Sequence, residues 1–204
     1  MIEIDIGTFK VNYDLAKGRK IRNLITYIYK KYGIIDNMIT QVLKNGKETT
    51  ETVIEETEIE ESDKIAILWT QKSRHPLYLC AYGNNVKGIR FWVSQGVSPD
   101  IKDIYSGTPL IGACFFKSVD AIKELLHVGA DTNLKDNNGK TALHHLLHAN
   151  TWNEKTEEII RLLMTNRINK DERDKYGKTA RENLNDENKE KYDKICEEIL
   201  GKSE

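Results

Sequence analysis

Pro76-Leu77 is followed 33 positions later by Pro109-Leu110, and Pro109-Leu110 is followed 33 positions later by Ala142-Leu143. A period of this length is too long for a helix face or a strand and too short for a domain. It marks stacked supersecondary units, none of which can bury its apolar stripe without a neighbour. A second marker keeps the same phase: Gly107-Thr108 returns as Gly139-Lys140-Thr141 and again as Gly177-Lys178-Thr179. From Thr141 to Thr179 the step is 38 positions, and the five extra residues fall around Thr151-Trp152-Asn153-Glu154-Lys155. A third marker pairs Gly96-Val97-Ser98-Pro99-Asp100 with Gly129-Ala130-Asp131-Thr132-Asn133. Thr-Pro suits a helix start, where the missing proline N–H would be unpaired in any case. Glycine supplies the positive φ that ends a helix.

Asp103 to Ala113, Asp136 to His144, and the run Leu125-Leu126-His127-Val128-Gly129-Ala130-Asp131-Thr132-Asn133 resemble the ankyrin repeat. Its opening is Asp-x-x-Gly-x-Thr-Pro-Leu-His-x-Ala and its close is Leu-Leu-x-x-Gly-Ala-Asp-x-Asn. In the second repeat Ile111 replaces the motif's His, and the Gly107-Thr108 step lacks an intervening residue. The resemblance implies an all-α solenoid over 73–204, with repeats at about 73–102, 103–135 and 136–173 and a C-terminal capping unit at 174–204. Paired leucines such as Leu125-Leu126 are expected to form the buried stripe, so that Leu126→Asp should unfold the array. A closing helix from about 187 to 200 is expected, with Tyr192, Ile195, Cys196 and Ile199 on one face.

Residues 1–70 follow another pattern. Ile2, Ile4 and Ile6 alternate with acids, Phe9, Val11, Tyr13 and Leu15 alternate again, and the pair reads as a β-hairpin. An amphipathic helix over 20–32 presents Ile21, Leu24, Ile25 and Ile28, followed by a strand and turn at 40–47, an acidic stretch, and a last strand at 64–69. This order resembles the ubiquitin-like β-grasp, giving an α+β chain similar to ankyrin repeat and ubiquitin domain-containing proteins. An unrelated α+β domain capping the stack fits the same pattern. No glycine pair follows the last strand at Thr70-Gln71-Lys72-Ser73-Arg74, so the resemblance implies a docking module rather than a conjugated modifier. So short a tether suggests that the two domains pack together.

The function classes narrow accordingly. With 31% charged residues but a net charge of −1, the chain has no global attraction for nucleic acid or an anionic membrane. No apolar run approaches the roughly 20 residues that span a bilayer, and Met1-Ile2-Glu3-Ile4-Asp5 is no signal peptide. Three dispersed cysteines, Cys80, Cys114 and Cys196, read as reduced thiols in a cytoplasmic protein, with a nuclear or cytoskeletal setting also open. His144-His145-x-x-His148 puts two histidines four apart on a helix, the spacing of a zinc clasp, but His144 is the repeat's own structural histidine and no further ligand is spaced nearby. No phosphate loop or nucleophile motif is present, so neither cofactor nor metal is expected and the chain reads as a non-enzyme.

Protein-binding candidates follow from the resemblance, because such arrays bind through hairpin tips and the first helices. The tips offer Lys102, Ile104 and Tyr105, then Asn137, Asn138 and Lys140, then Lys175, Tyr176 and Lys178. The first helices offer Tyr78, Tyr82, Phe115, Phe116, His145 and His148, any of which can instead pack on a neighbour. Trp152 stands in the insertion, where an indole needs a pocket or a partner. On the outer sheet face, alternation from Ile65 and Ile67 selects Ala66 and Leu68, joined by Leu43. The basic segment Lys17, Arg19, Lys20 and Arg22 is placed where Ras-associating β-grasp domains meet a small GTPase. The expected function is a protein-binding adaptor or scaffold; the alternative is a structural component of a cytoskeletal or axonemal (microtubule) assembly.

Overall fold

The computed structural model describes residues 2–5, 10–13, 21–32, 39–44, 47–48, 65–69, 75–148 and 152–201. The chain divides into two compact units, Met1–Lys72 and Ser73–Glu204.

In the first unit, β1 (Ile2–Asp5) pairs antiparallel with β2 (Lys10–Tyr13), Ile4 opposite Val11. The helix α1 (Ile21–Tyr32) follows, with Leu24 and Ile28, one turn apart, fully buried. Next come β3 (Ile39–Lys44), the short β4 (Lys47–Glu48) and β5 (Ile65–Trp69). The sheet order is β2-β1-β5-β3-β4, with β5 parallel to β1 and antiparallel to β3. Leu43 is paired with Ala66 and Gln41 with Leu68, so alternation puts Leu43, Ala66 and Leu68 on one face. Their side chains, the turn at Asn45-Gly46, the acidic stretch, the basic segment Lys17 to Arg22 and the tether 70–74 lie outside the described residues.

The second unit is built of helix pairs. First helices are α2 (Pro76–Tyr82), α4 (Pro109–Phe116) and α6 (Ala142–His148); second helices are α3 (Val86–Ser94), α5 (Val119–His127) and α7 (Glu154–Thr165). A 3-10 turn (Arg181–Asn183) and α8 (Asp186–Leu200) complete the unit. First helices pack on first helices and second on second, giving two layers, and α8 closes the stack against α7. Proline at the first turn and a side-chain cap start the first two pairs: Leu77 N–H donates to His75 Nδ1 (3.1 Å) and Ile111 N–H to Thr108 Oγ1 (3.3 Å). Asn153 and Thr156 start α7 with a reciprocal capping box.

Residues one period apart fill the same core site. Leu77, Leu110 and Leu143 are buried, as are Trp92, Leu125 and Leu163. Burying such a side chain contributes about 1.5–3 kcal/mol, which a lone helix pair cannot supply for both its faces. Of the leucine pair, Leu125 is fully buried while Leu126 is only half-buried, so the expectation placed on Leu126 moves to Leu125. The closing helix buries Tyr192, Ile195 and Cys196 as its spacing predicts and leaves Ile199 half-buried. No helix among the described residues is long and apolar enough to cross a membrane.

Two glycine positions differ from the sequence reading. Asp103, Asp136 and Asp174 are followed three residues on by Ser106, Gly139 and Gly177, which all have left-handed φ, 59°, 73° and 74°. Gly107 therefore corresponds to Lys140 and Lys178, and no residue is missing before Thr108. A serine holds the glycine position, and its hydroxyl donates to Asn137 Oδ1 (2.6 Å). After the second helices, Gly96 and Gly129 have φ of 84° and 89°, and the third pair ends on Arg167 at 62°.

Candidate functional site

Each hairpin tip is shaped by one aspartate. The N–H groups of Tyr105 and Gly107 donate to Asp103 Oδ1 (2.9 and 2.8 Å), those of Asn138 and Lys140 to Asp136 Oδ1 (2.8 and 3.0 Å), and those of Tyr176 and Lys178 to Asp174 Oδ1 (2.8 and 3.1 Å). A carboxylate accepting two N–H groups fixes the turn and lifts the two intervening side chains outward. Adjacent tips are also joined through the backbone: Asn137 N–H donates to the Tyr105 carbonyl and Lys175 N–H to the Asn138 carbonyl, both 2.9 Å. Ile104, Tyr105 and Tyr176 stand 64%, 60% and 70% exposed on this rigid edge. Lys102 and Lys178 are exposed, and Lys140 is half-buried at a hairpin base.

On the first helices, Tyr82, Phe115 and His148 occupy one position in three successive repeats, 33 residues apart each time, and all three are exposed. Phe116 fills the space between the first two rings, with centroids 3.7 Å from Tyr82 and 4.8 Å from Phe115. The Phe115 ring centroid lies 6.2 Å from that of His145. His145 Nε2–H in turn donates to Asp136 Oδ2 (2.8 Å), joining this aromatic stripe to the base of the middle hairpin. Burial pulls the His145 imidazole below its usual value, with Asp136 pushing back. Burial opposes ionisation of Asp136 too, yet the Lys140 N–H and His145 hold its carboxyl below the usual range.

The remaining candidates serve the scaffold. Tyr78 is buried, and its ring fits against Gly112, where an added Cβ would meet Tyr78 Cζ at 2.8 Å. His144 is buried, its Nδ1 taking the Thr141 hydroxyl (2.9 Å) and its Nε2–H donating to the Lys178 carbonyl (3.1 Å). Both ring nitrogens are thus committed to the stack, as its place in the motif predicts. Trp152 is half-buried and donates its indole N–H to Glu157 Oε1 (3.0 Å), which answers the need for a partner within the chain. Cys80 and Cys114 are buried, and burial raises the Cys80 thiol to about 12. They are 34 positions apart, one more than the period, so they hold neighbouring rather than equivalent sites.

Sequence reasoning missed Asn84. Its side chain accepts the Ala121 N–H (2.8 Å) and donates to Asp120 Oδ2 (3.0 Å), capping α5 of the next repeat, whose own Ser118 hydroxyl is turned to the Tyr82 carbonyl (2.8 Å). Nothing in the sequence marks it: Asn84 and Lys117 are one period apart and both left-handed, at 56° and 55°, but differ in residue type.

Residues 110–182 match the family model for ankyrin repeats, in three copies. This segment carries ankyrin repeats. The matched copies extend into the unit expected to be the cap, and the pair α2–α3 lies before them. Among curated proteins, the E3 ubiquitin-protein ligase KEG of Arabidopsis thaliana is 30% identical over 115 residues, covering 56% of this chain and 7% of that protein. Protein phosphatase 1 regulatory subunit 12A of Mus musculus, like that of Rattus norvegicus, is 29% identical over 117 residues, covering 57% of this chain and 10% of the relative. The chain therefore spans a tenth or less of the curated relatives it matches. The exposed first-helix residues Tyr82, Phe115, Phe116 and His148 all bear rings.

Proposed function

We propose that the chain is a non-catalytic protein-interaction adaptor or scaffold that binds through its ankyrin region. The observation that carries this is the aromatic stripe Tyr82–Phe116–Phe115–His145. Phe115 and Phe116 remain 50% and 44% exposed although each leaves apolar area in water that burial against a partner would remove. The hairpin edge adds Tyr105 and Tyr176, residues favoured as binding anchors and held by backbone bonds, so little ordering entropy is lost on docking. Two relatives are by name regulatory subunits of a phosphatase, a description that presupposes another protein to act on.

The first unit is proposed as a ubiquitin-like β-grasp domain, spanning about 1–70 beside an ankyrin domain at 73–204, and as the second docking surface of the adaptor. Supporting it are the order β2-β1-β5-β3-β4, the parallel pairing of the first and last strands, and a helix directly after the hairpin. Leu43, Ala66 and Leu68 on one sheet face are its proposed contact residues. A cytoplasmic setting is part of this proposal.

Affinity purification of the tagged chain from its own cells, in mild and high salt with partners identified by mass spectrometry, tests the reading. The adaptor should recover a small set of soluble partners, lost on the double change Phe115→Ser and Phe116→Ser with the melting curve retained. Retention at fixed stoichiometry with tubulin or another insoluble assembly through the salt wash would replace it with the structural-component reading.

A further inference from the structure

We propose that the hairpin and first-helix side of the ankyrin array takes an acidic peptide segment carrying apolar side chains. This rests on the protein-binding reading above and adds the chemistry of the partner. The carrying observation is a charge polarity hidden by the chain's balanced composition. The hairpins and first helices, residues 75–85, 101–118, 134–148 and 172–182, hold eight Lys and Arg against five Asp and Glu. The second helices, closing helix and their loops, residues 86–100, 119–133, 152–171 and 183–201, hold ten against fourteen. One side of the array is net positive and the other net negative.

The carboxylates on the positive side are also turned to internal work. Asp103, Asp136 and Asp174 each accept two backbone N–H groups of their own hairpin. Glu172 pairs with Lys135 (2.5 Å), and Glu182 accepts the Thr179 N–H (2.7 Å). Lys102 and Lys178 are exposed at the hairpins, Lys140 is half-buried at a hairpin base, and the half-buried Lys117 follows Phe116 directly. Asp120, at the far edge of the stripe, takes the Asn84 amide. His145 touches both the Phe115 ring and the Asp136 carboxylate, so rings and hairpin bases form one continuous surface. A segment laid across it buries apolar side chains on the rings while its carboxylates meet the lysines, and complementary charge speeds the encounter.

Two fluorescently labelled peptides with the same leucine and phenylalanine residues, one filled out with glutamate and one with lysine, are titrated with the full chain and followed by anisotropy. The glutamate peptide should bind at least about tenfold more tightly, a charge effect of ordinary size for such a surface, and should weaken as salt is raised. The double change Lys140→Glu and Lys178→Glu should remove the preference, and Phe115→Ser with Phe116→Ser should weaken both peptides; all four positions are at least partly exposed, and melting curves check that each variant is folded. Equal affinity for the two peptides overturns the proposal, as does glutamate-peptide binding that survives the lysine changes. Tighter binding of a single-stranded oligonucleotide of equal charge overturns it in favour of nucleic acid. If neither peptide binds while cellular partners are still captured, the acidic partner is refuted and the protein-binding reading stands; loss of both refutes both.

Discussion

Gly139 and Gly177 share a hairpin position and a backbone conformation, but not a neighbourhood. A Cβ on Gly139 would sit 2.9 Å from the Lys175 nitrogen and 3.2 Å from the Asp174 carbonyl carbon, whereas nothing lies within 4 Å of one on Gly177. Gly177→Ala should therefore cost about 1 kcal/mol, the strain of a left-handed alanine, and Gly139→Ala about 2–3 kcal/mol, because the strand of the next hairpin must also move. Equal shifts in denaturation midpoint would contradict the close packing of the tips. His75 carries a pH effect. Burial holds its imidazole at about 4, below its ordinary 6.5, so the unfolded chain takes up the proton first. Its contribution is fully present above about pH 6.5 and is lost as pH falls toward 4. His145, also lowered by burial, acts in the same direction. His75→Asn keeps an acceptor for the Leu77 N–H without titrating, so melting temperatures of the variant should fall less steeply over that range; an unchanged slope would remove His75 as the cause. At this scale the sequence was informative about the exposed rings and silent on strain, because left-handed serine and arginine at 106 and 167 look like ordinary residues until φ is known.

At the scale of the element, α5 depends on a residue outside its own repeat. Asn84→Gly suits the left-handed φ at that position but deletes the cap on Ala121, and the two effects have opposite signs. The cap should win, lowering stability by about 1 kcal/mol in a denaturant titration, and a stabilised variant would show that the bond carries no weight. Leu125 is fully buried, so Leu125→Asp should unfold the array, while Leu126→Asp at the half-buried neighbour should cost far less; circular dichroism at 222 nm separates them. The period made the helix pairs legible, since Pro-Leu and Ala-Leu starts recur with it and Gly stops mark the first two pairs, and the closing helix Asp186–Leu200 falls within a residue of its expected start. It did not reveal which of two adjacent leucines points inward, because both fit a helical stripe about 100° wide.

For the whole molecule, alternation and periodicity marked the change between two kinds of chain near residue 70, and the units divide at Lys72. The strand and helix positions of the first unit were legible because each element is a short apolar pattern of one period. The polarity of charge across the array was not, because acidic and basic residues mix along the sequence and separate only when first and second helices sort into layers. Among the described residues, polar links join each helix pair to the next: Arg90 to Glu124, Lys123 to Glu158, Arg161 to Glu198, and the tip bonds through Asn137 and Lys175. Pulled from its two ends, an array held by such neighbour-to-neighbour links gives way at a terminus, one repeat at a time. Each release pays out a repeat of chain, roughly 110 Å of extended backbone for 33 residues, so a force record should show a staircase rather than one rupture. The array would then behave as a tether that lengthens in fixed increments under load.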